Sequence, residues 1–257
     1  MIREAELFKQ ALSENLEIDD WKAIDILLAV VAAHKIKGNM LWLRIIGAGG
    51  TGKTEILRTL MDNADYCVPC ETFTQAAIRG GSKKDGVDAP RLLKRLDTKL
   101  VITKEFNTIL TKNKEDKEGI FGLLRSVHDG TLVSDFGSDA GFIKQEAWFD
   151  WILGVTQYVD RQRLLDALLG TRFIDLRWGR PIDHRRLVEL ALRNDEIREE
   201  MRVRTKSLMN DVINAIQPDE TRPNIDINWL ADLADLVCIA RTPVDNHDNL
   251  IMAYQIN

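Results

Sequence analysis

Eight consecutive residues, Gly47-Ala48-Gly49-Gly50-Thr51-Gly52-Lys53-Thr54, carry the spacing G-x-x-x-x-G-K-[ST]. That spacing suits a nucleoside polyphosphate. Glycines let successive backbone N–H groups turn onto phosphate oxygens, Lys53 neutralises the β and γ oxygens, and the Thr54 hydroxyl ligates Mg²⁺. Glu55 follows directly and belongs with the residues expected to hold the nucleotide. ATP and Mg²⁺ are the expected cofactors. Hydrolysis also needs an acid near the γ-phosphate, and Glu105, just past the apolar run Leu100 to Thr103, is the candidate to orient or deprotonate water and to serve the metal. Thr156 ends a second apolar run, Trp151 to Val155, where a polar side chain reaches the γ-phosphate or the attacking water. Arg172 immediately precedes the run Phe173 to Leu176, directed away from its own phosphate loop. Taken alone it reads as a salt-bridge arginine; in this order of motifs it reads as a finger supplied in trans to a neighbouring subunit.

These residues must be positioned by strands and helices. Met40 to Ile46 is an apolar strand feeding the phosphate loop, and Thr54 to Leu60 has apolar side chains at helical spacing. Asp19-Asp20-Trp21 caps a helix lying before that strand. Further strands are expected at Tyr66 to Val68, Lys99 to Thr103, Trp151 to Val155 and Phe173 to Leu176. Helices are expected near 91–96, 115–127 and 160–169. Alternation of this kind means a parallel sheet with helices on both faces, an α/β core. Two runs, Thr131 to Phe136 and Phe142 to Trp148, flank a glycine-rich turn as a hairpin, and Gly80 to Gly86 reads as a polar, mobile loop. From Pro181 only helices are expected, near 183–192, 195–216 and 227–239. The expected organisation is a nucleotide-binding core with N-terminal helices over 1–180 and an all-helical lid over 181–257. Arg193, Arg198, Arg202, Arg204 and Lys206 interleave with acids, most simply as a solvated helix face with i,i+4 pairs, the alternative being a face that binds nucleic acid or a partner.

The chain has 257 residues, 45% of them hydrophobic, enough for one substantial core with an appended bundle. A net charge of −5 argues against a global field for nucleic acid or an anionic membrane. Local contacts to DNA are expected from Lys83, Lys84 and Lys144. No run is long enough to span a membrane, and Met1 to Glu6 lacks the pattern of a signal peptide, so a cytoplasmic location is expected. Cys67 and Cys70 have redox or half-zinc spacing but no second pair follows, and they read as small hydrophobes on a short strand. The four histidines form no ligand-spaced cluster.

The order of the phosphate loop, Lys104-Glu105-Phe106, the hairpin, Gly154-Val155-Thr156 and Thr171-Arg172-Phe173 resembles the AAA+ ATPases with a hairpin before sensor 1. It is most similar to phage- and bacterium-encoded ATP-binding proteins related in motif order to minichromosome-maintenance helicases. The resemblance covers about residues 20–180. It implies a homo-oligomeric, usually hexameric ring with ATP at subunit interfaces and hairpins lining a central channel. It also makes Arg241, in Ala240-Arg241-Thr242-Pro243, a lid arginine sensing the γ-phosphate, the alternative being an arginine that satisfies a helix C-terminus. Such helicases carry Asp-Glu-Phe where this chain has Lys104-Glu105-Phe106. Either Glu105 does both jobs, or another acid serves the metal, or hydrolysis is slow. The expected function is an ATPase acting on DNA as helicase, translocase or replication factor of a phage or mobile element. The alternatives are a nucleotide-gated loader that recruits a protein partner and a P-loop kinase acting as a single chain.

Overall fold

The computed structural model describes residues 2–14, 16–18, 20–36, 38–80, 92–135, 142–161, 169–179, 192 and 197–217. All of these lie in the first of two compact units, Met1–Pro218, the second being Asp219–Asn257. Nearly all of the expected 80–86 loop, the hairpin tip, most of the 160–169 and 183–192 helices, the whole of the 227–239 helix, and Lys83, Lys84, Arg193 and Arg241 lie outside the described residues.

Two helices open the chain, α1 (Ile2–Ser13) and α2 (Trp21–Ala33). Asp20 caps α2 by accepting the Lys22 N–H at 3.1 Å, and Ile24, Leu27 and Val31 line its buried face. Next come β1 (Trp42–Ile46), α3 (Lys53–Thr59), β2 (Cys67–Pro69), α4 (Gln75–Arg79), α5 (Leu92–Leu96) and β3 (Leu100–Thr103). Then follow α6 (Asn107–Leu110), α7 (Lys114–His128), the antiparallel pair β4 (Leu132–Asp135) and β5 (Phe142–Gln145), β6 (Asp150–Val155) and β7 (Phe173–Arg177). The last described helix is α8 (Arg198–Ala215). The expected strands and hairpin stand with ends shifted by one to three residues, while α4 and α6 were not anticipated; each is a turn or so long, too short to show a period.

β2, β3, β6, β1 and β7 form one parallel sheet in that order. Every residue of β1, β3 and β6 is buried, as a parallel sheet covered on both faces requires. Alternation divides β1 between two cores. Trp42 and Ile46 join Trp151, Phe106 and Phe121 on one side, whereas Leu43 and Ile45 join Phe8, Ile24, Leu57 and Met209 on the other. Helix α8 therefore packs with α1, α2 and α3 against the second face. It lies in the same compact unit as the sheet, beyond the expected boundary at 180–181. Arg198 and Arg204 are exposed as expected, and Arg202 makes one pair within the helix, with Glu199 at 3.4 Å, but Arg202, Arg204 and Lys206 also pair with other elements. Arg202 pairs with Glu55 at 2.8 Å, Lys206 with Asp62 at 3.0 Å, and Arg204 with Glu14. No described helix is long and apolar enough to cross a membrane.

The chain leaves β1 toward the far edge at β2, returns through β3 and β6, and only then crosses to β7 on the other side. The carboxyl end of β1 is thus where the winding reverses, the place at which open α/β sheets leave a crevice.

Candidate functional site

The phosphate-loop sequence occupies that crevice. Gly47 donates its N–H to the Val155 carbonyl at 3.1 Å and Trp178 donates to the Ile46 carbonyl at 2.7 Å, so the loop emerges tied to β6 on one side and to the end of β7 on the other. Gly52 enters α3 at φ 82°, in the left-handed region that a side chain disfavours. The Trp178 indole donates to the Thr51 carbonyl at 2.7 Å and the Thr51 hydroxyl to the Ala48 carbonyl at 2.9 Å. Lys53 is 9% exposed, and its Nζ donates to the carbonyls of Gly47 at 2.8 Å and Ala48 at 2.5 Å. Burial pushes the Lys53 pKa down, and the nearby Glu105 carboxylate opposes that shift.

Glu105 and Thr156 reach the same place from β3 and β6. Gly154 is the joint between those strand ends: a Cβ there would stand 2.7 Å from the Lys104 carbonyl, and its own carbonyl accepts the Phe106 N–H at 3.0 Å. Asn107, at the start of α6, accepts from the Thr156 hydroxyl at 3.1 Å and N–H at 3.3 Å, fixing the hydroxyl on the cavity that Glu105 also lines. Lys104 is turned toward Glu71 from the segment after β2: its N–H donates to Glu71 Oε2 at 3.1 Å, and its Nζ lies 3.3 Å from Oε1.

These residues open onto one cavity of about 420 Å³, lined by the loop from Gly49 to Glu55, by Lys104, Glu105, Asn107 and Thr156, and by α8 through Arg198, Arg202 and Lys206. Six basic side chains and three acidic ones face it. Glu55 does not present a free carboxylate to a ligand. Arg202 holds it bidentately, with Nε to Oε2 at 2.9 Å and Nη2 to Oε1 at 2.8 Å, and Arg58 adds a bond at 2.8 Å. The Arg202 hydrogen bonds, helped by Arg58, hold its carboxyl below the usual carboxylate range against the opposing effect of burial.

The donor chemistry fits Mg²⁺ in one respect. The Thr54 hydroxyl and the Glu105 carboxylate are hard oxygen ligands on the same cavity, sufficient for an ion held mainly by phosphates and water. Among the described residues no cluster of three His, Cys, Asp or Glu could hold a metal. Cys67 and Cys70 are buried free thiols whose pKa values burial pushes up to about 12 and about 11, the behaviour of packed hydrophobes.

Arg172 lies away from this cavity. Phe173 pairs in register with Trp42, the first residue of β1, whereas the phosphate loop follows the last. About 13 Å of strand separates the two ends. Arg172 donates to both oxygens of Asp129 at 2.7 and 2.9 Å and to the Leu169 carbonyl at 2.8 Å. Lys144, on β5, is exposed and paired with Glu146 at 2.5 Å. Trp178, Asn107 and Glu71 were not singled out from the sequence; each meets the site through a partner 33 or more residues away. No family model matches the chain, and no curated protein matches it.

Proposed function

We propose that this chain is an ATPase of the AAA+ type, binding ATP with Mg²⁺ at the interfaces of a homo-oligomeric ring and acting on DNA. The observation that carries the reading is the convergence of Lys53, Glu105 and Thr156, from three different elements, on one basic cavity at the carboxyl ends of parallel strands. In this reading the loop N–H groups and Lys53 hold the β and γ phosphates, and Thr54 with Glu105 hold the metal. Bound Mg²⁺ would neutralise charge on the β and γ oxygens. Glu105 orients and deprotonates the attacking water, and Thr156, anchored by Asn107, holds the water or the γ-phosphate in line. Arg172 reaches the phosphate of the next subunit from the opposite end of the sheet. Lys83, Lys84 and Lys144 supply DNA contacts, Arg241 senses the γ-phosphate from a helical lid, and the protein works in the cytoplasm.

A second reading, a nucleotide-gated assembly platform with slow hydrolysis, is favoured by Lys104, a cation on the cavity wall at the position where the helicases it resembles carry an aspartate. ATP turnover per subunit, measured against protein concentration with and without single- and double-stranded DNA, separates the two. A rate that rises with concentration and again with DNA is expected of the motor. Negligible turnover with measurable ATP binding would leave the platform.

A further inference from the structure

Lys104 follows a fully buried strand, and its backbone is fixed on both sides. Its N–H is held by Glu71, and its carbonyl is pressed against Gly154, with no room for a Cβ between them. Only the side chain is left to move. Its ammonium lies 3.3 Å from Glu71 Oε1, with the two side chains 27% and 38% exposed, so the pair as a whole is only partly withdrawn from solvent. Glu71 Oε1 is buried and accepts no hydrogen bond, so that contact rests on charge alone. Lys104 also lines the cavity that holds Lys53, Thr54 and Glu105. The carboxylate supply there is thin: of the three acids on the cavity wall, Glu55 is committed to Arg202 and Arg58. Of the six cations on that wall, Arg58 and Arg202 are committed to Glu55 and Lys206 to Asp62, which leaves Lys53 and Lys104 among those set to meet a free nucleoside triphosphate, more anionic than its Mg²⁺ complex.

Resting on the nucleotide reading above, we propose that Lys104 supplies part of the charge a divalent ion would bring, so that this cavity binds nucleoside triphosphate nearly as well without Mg²⁺ as with it. Glu71 sets the strength of that substitution by competing with phosphate for the Lys104 ammonium. The two residues then have opposite effects: removing the ammonium weakens metal-free binding, and removing the competing carboxylate strengthens it. A purely structural ion pair would make both losses act in one direction.

The test is titration of the full chain with ATP, in Mg²⁺ and in excess EDTA, for wild type, Lys104→Gln and Glu71→Gln, with folding checked by circular dichroism. Wild-type Kd is expected to differ by less than about threefold between the two conditions. Lys104→Gln should weaken binding in EDTA about tenfold, the scale of one charge-assisted hydrogen bond, and weaken it far less in Mg²⁺. Glu71→Gln should tighten binding in EDTA severalfold. A wild-type loss in EDTA beyond about threefold, or shifts of the same sign in both variants, overturns the proposal while the nucleotide reading stands. Absence of ATP binding in both conditions would instead overturn the nucleotide reading, and this inference with it.

Discussion

Lys53 and Glu105 hold opposite charges on one cavity, and the neutral carbonyls that accept from Lys53 are weaker partners than phosphate oxygens. Lys53→Ala should therefore lower ATP affinity by about tenfold to a hundredfold, the scale of hydrogen bonds to charged groups, with the thermal midpoint held or raised because a buried ammonium is lost. Calorimetric titration and a melting curve on the same sample check both parts. Glu105 is exposed and makes no contribution to the cores on either face of the sheet, so Glu105→Gln should leave folding and ATP affinity within about twofold. Its turnover should fall by about 10²-fold or more, the contribution of a positioned base. Single-turnover kinetics with bound ATP would read that loss directly. An unchanged rate would take Glu105 out of the chemistry.

At the scale of elements, α8 is joined to the rest of the fold by polar ties as well as by its buried face. Arg202 grips Glu55 at the start of α3, and Lys35 at the end of α2 donates to the carbonyls of Ile213 and Ile216 at 2.5 and 3.1 Å, closing the last turn of α8. Because the folded state holds the Glu55 carboxyl below its ordinary value of 4.5, this tie stabilises the fold above that pH and is lost as the carboxyl is protonated on acidification. Arg202→Ala should lower the urea midpoint at pH 7 by an amount worth on the order of 1 kcal/mol, the pair being partly solvated. The gap between variant and wild type should narrow as the pH falls below 4.5 and the carboxyl is protonated. A gap independent of pH would mean that Arg202 acts by packing alone. The same helix shows what the sequence withholds. The phosphate loop is legible because its eight residues are contiguous, and the central strands because burial on both faces leaves unbroken apolar runs. The partners of Arg202 and Arg204 lie 147 and 190 residues away, and the Asn107 clasp on Thr156 spans 49, separations at which no local pattern survives. Local reading consequently assigned the charges of α8 to their neighbours on the helix.

For the whole molecule, the decisive geometry is the length of the sheet between Arg172 and the chain's own phosphate loop. Within one chain Arg172 has a structural occupation, its bidentate bond to Asp129, which also holds the Asp129 carboxyl below its usual range. Catalysis in trans requires the guanidinium to serve a second copy. Arg172→Ala and Lys53→Ala should each abolish turnover, by about 10³-fold or more for the arginine, and their mixture should regain a measurable fraction. In the mixture some interfaces join an intact Lys53 from one copy to an intact Arg172 from the other. A mixture as inactive as its parts, with assembly intact by light scattering, would confine Arg172 to its bond with Asp129.

Trp178 closes the phosphate loop from 127 residues further along the chain, and its indole N–H ends on the Thr51 carbonyl. The other described indole bonds, from Trp42, Trp148 and Trp151, end on Phe149, Gly38 and Thr103, away from the loop. Emission from an indole follows the polarity and hydrogen bonding around it, so this chain carries its own optical reporter of loop occupancy. Adding ATP should change the intrinsic fluorescence saturably, and Trp178→Phe should silence most of the change, giving a label-free readout of when the loop is filled and how quickly it empties.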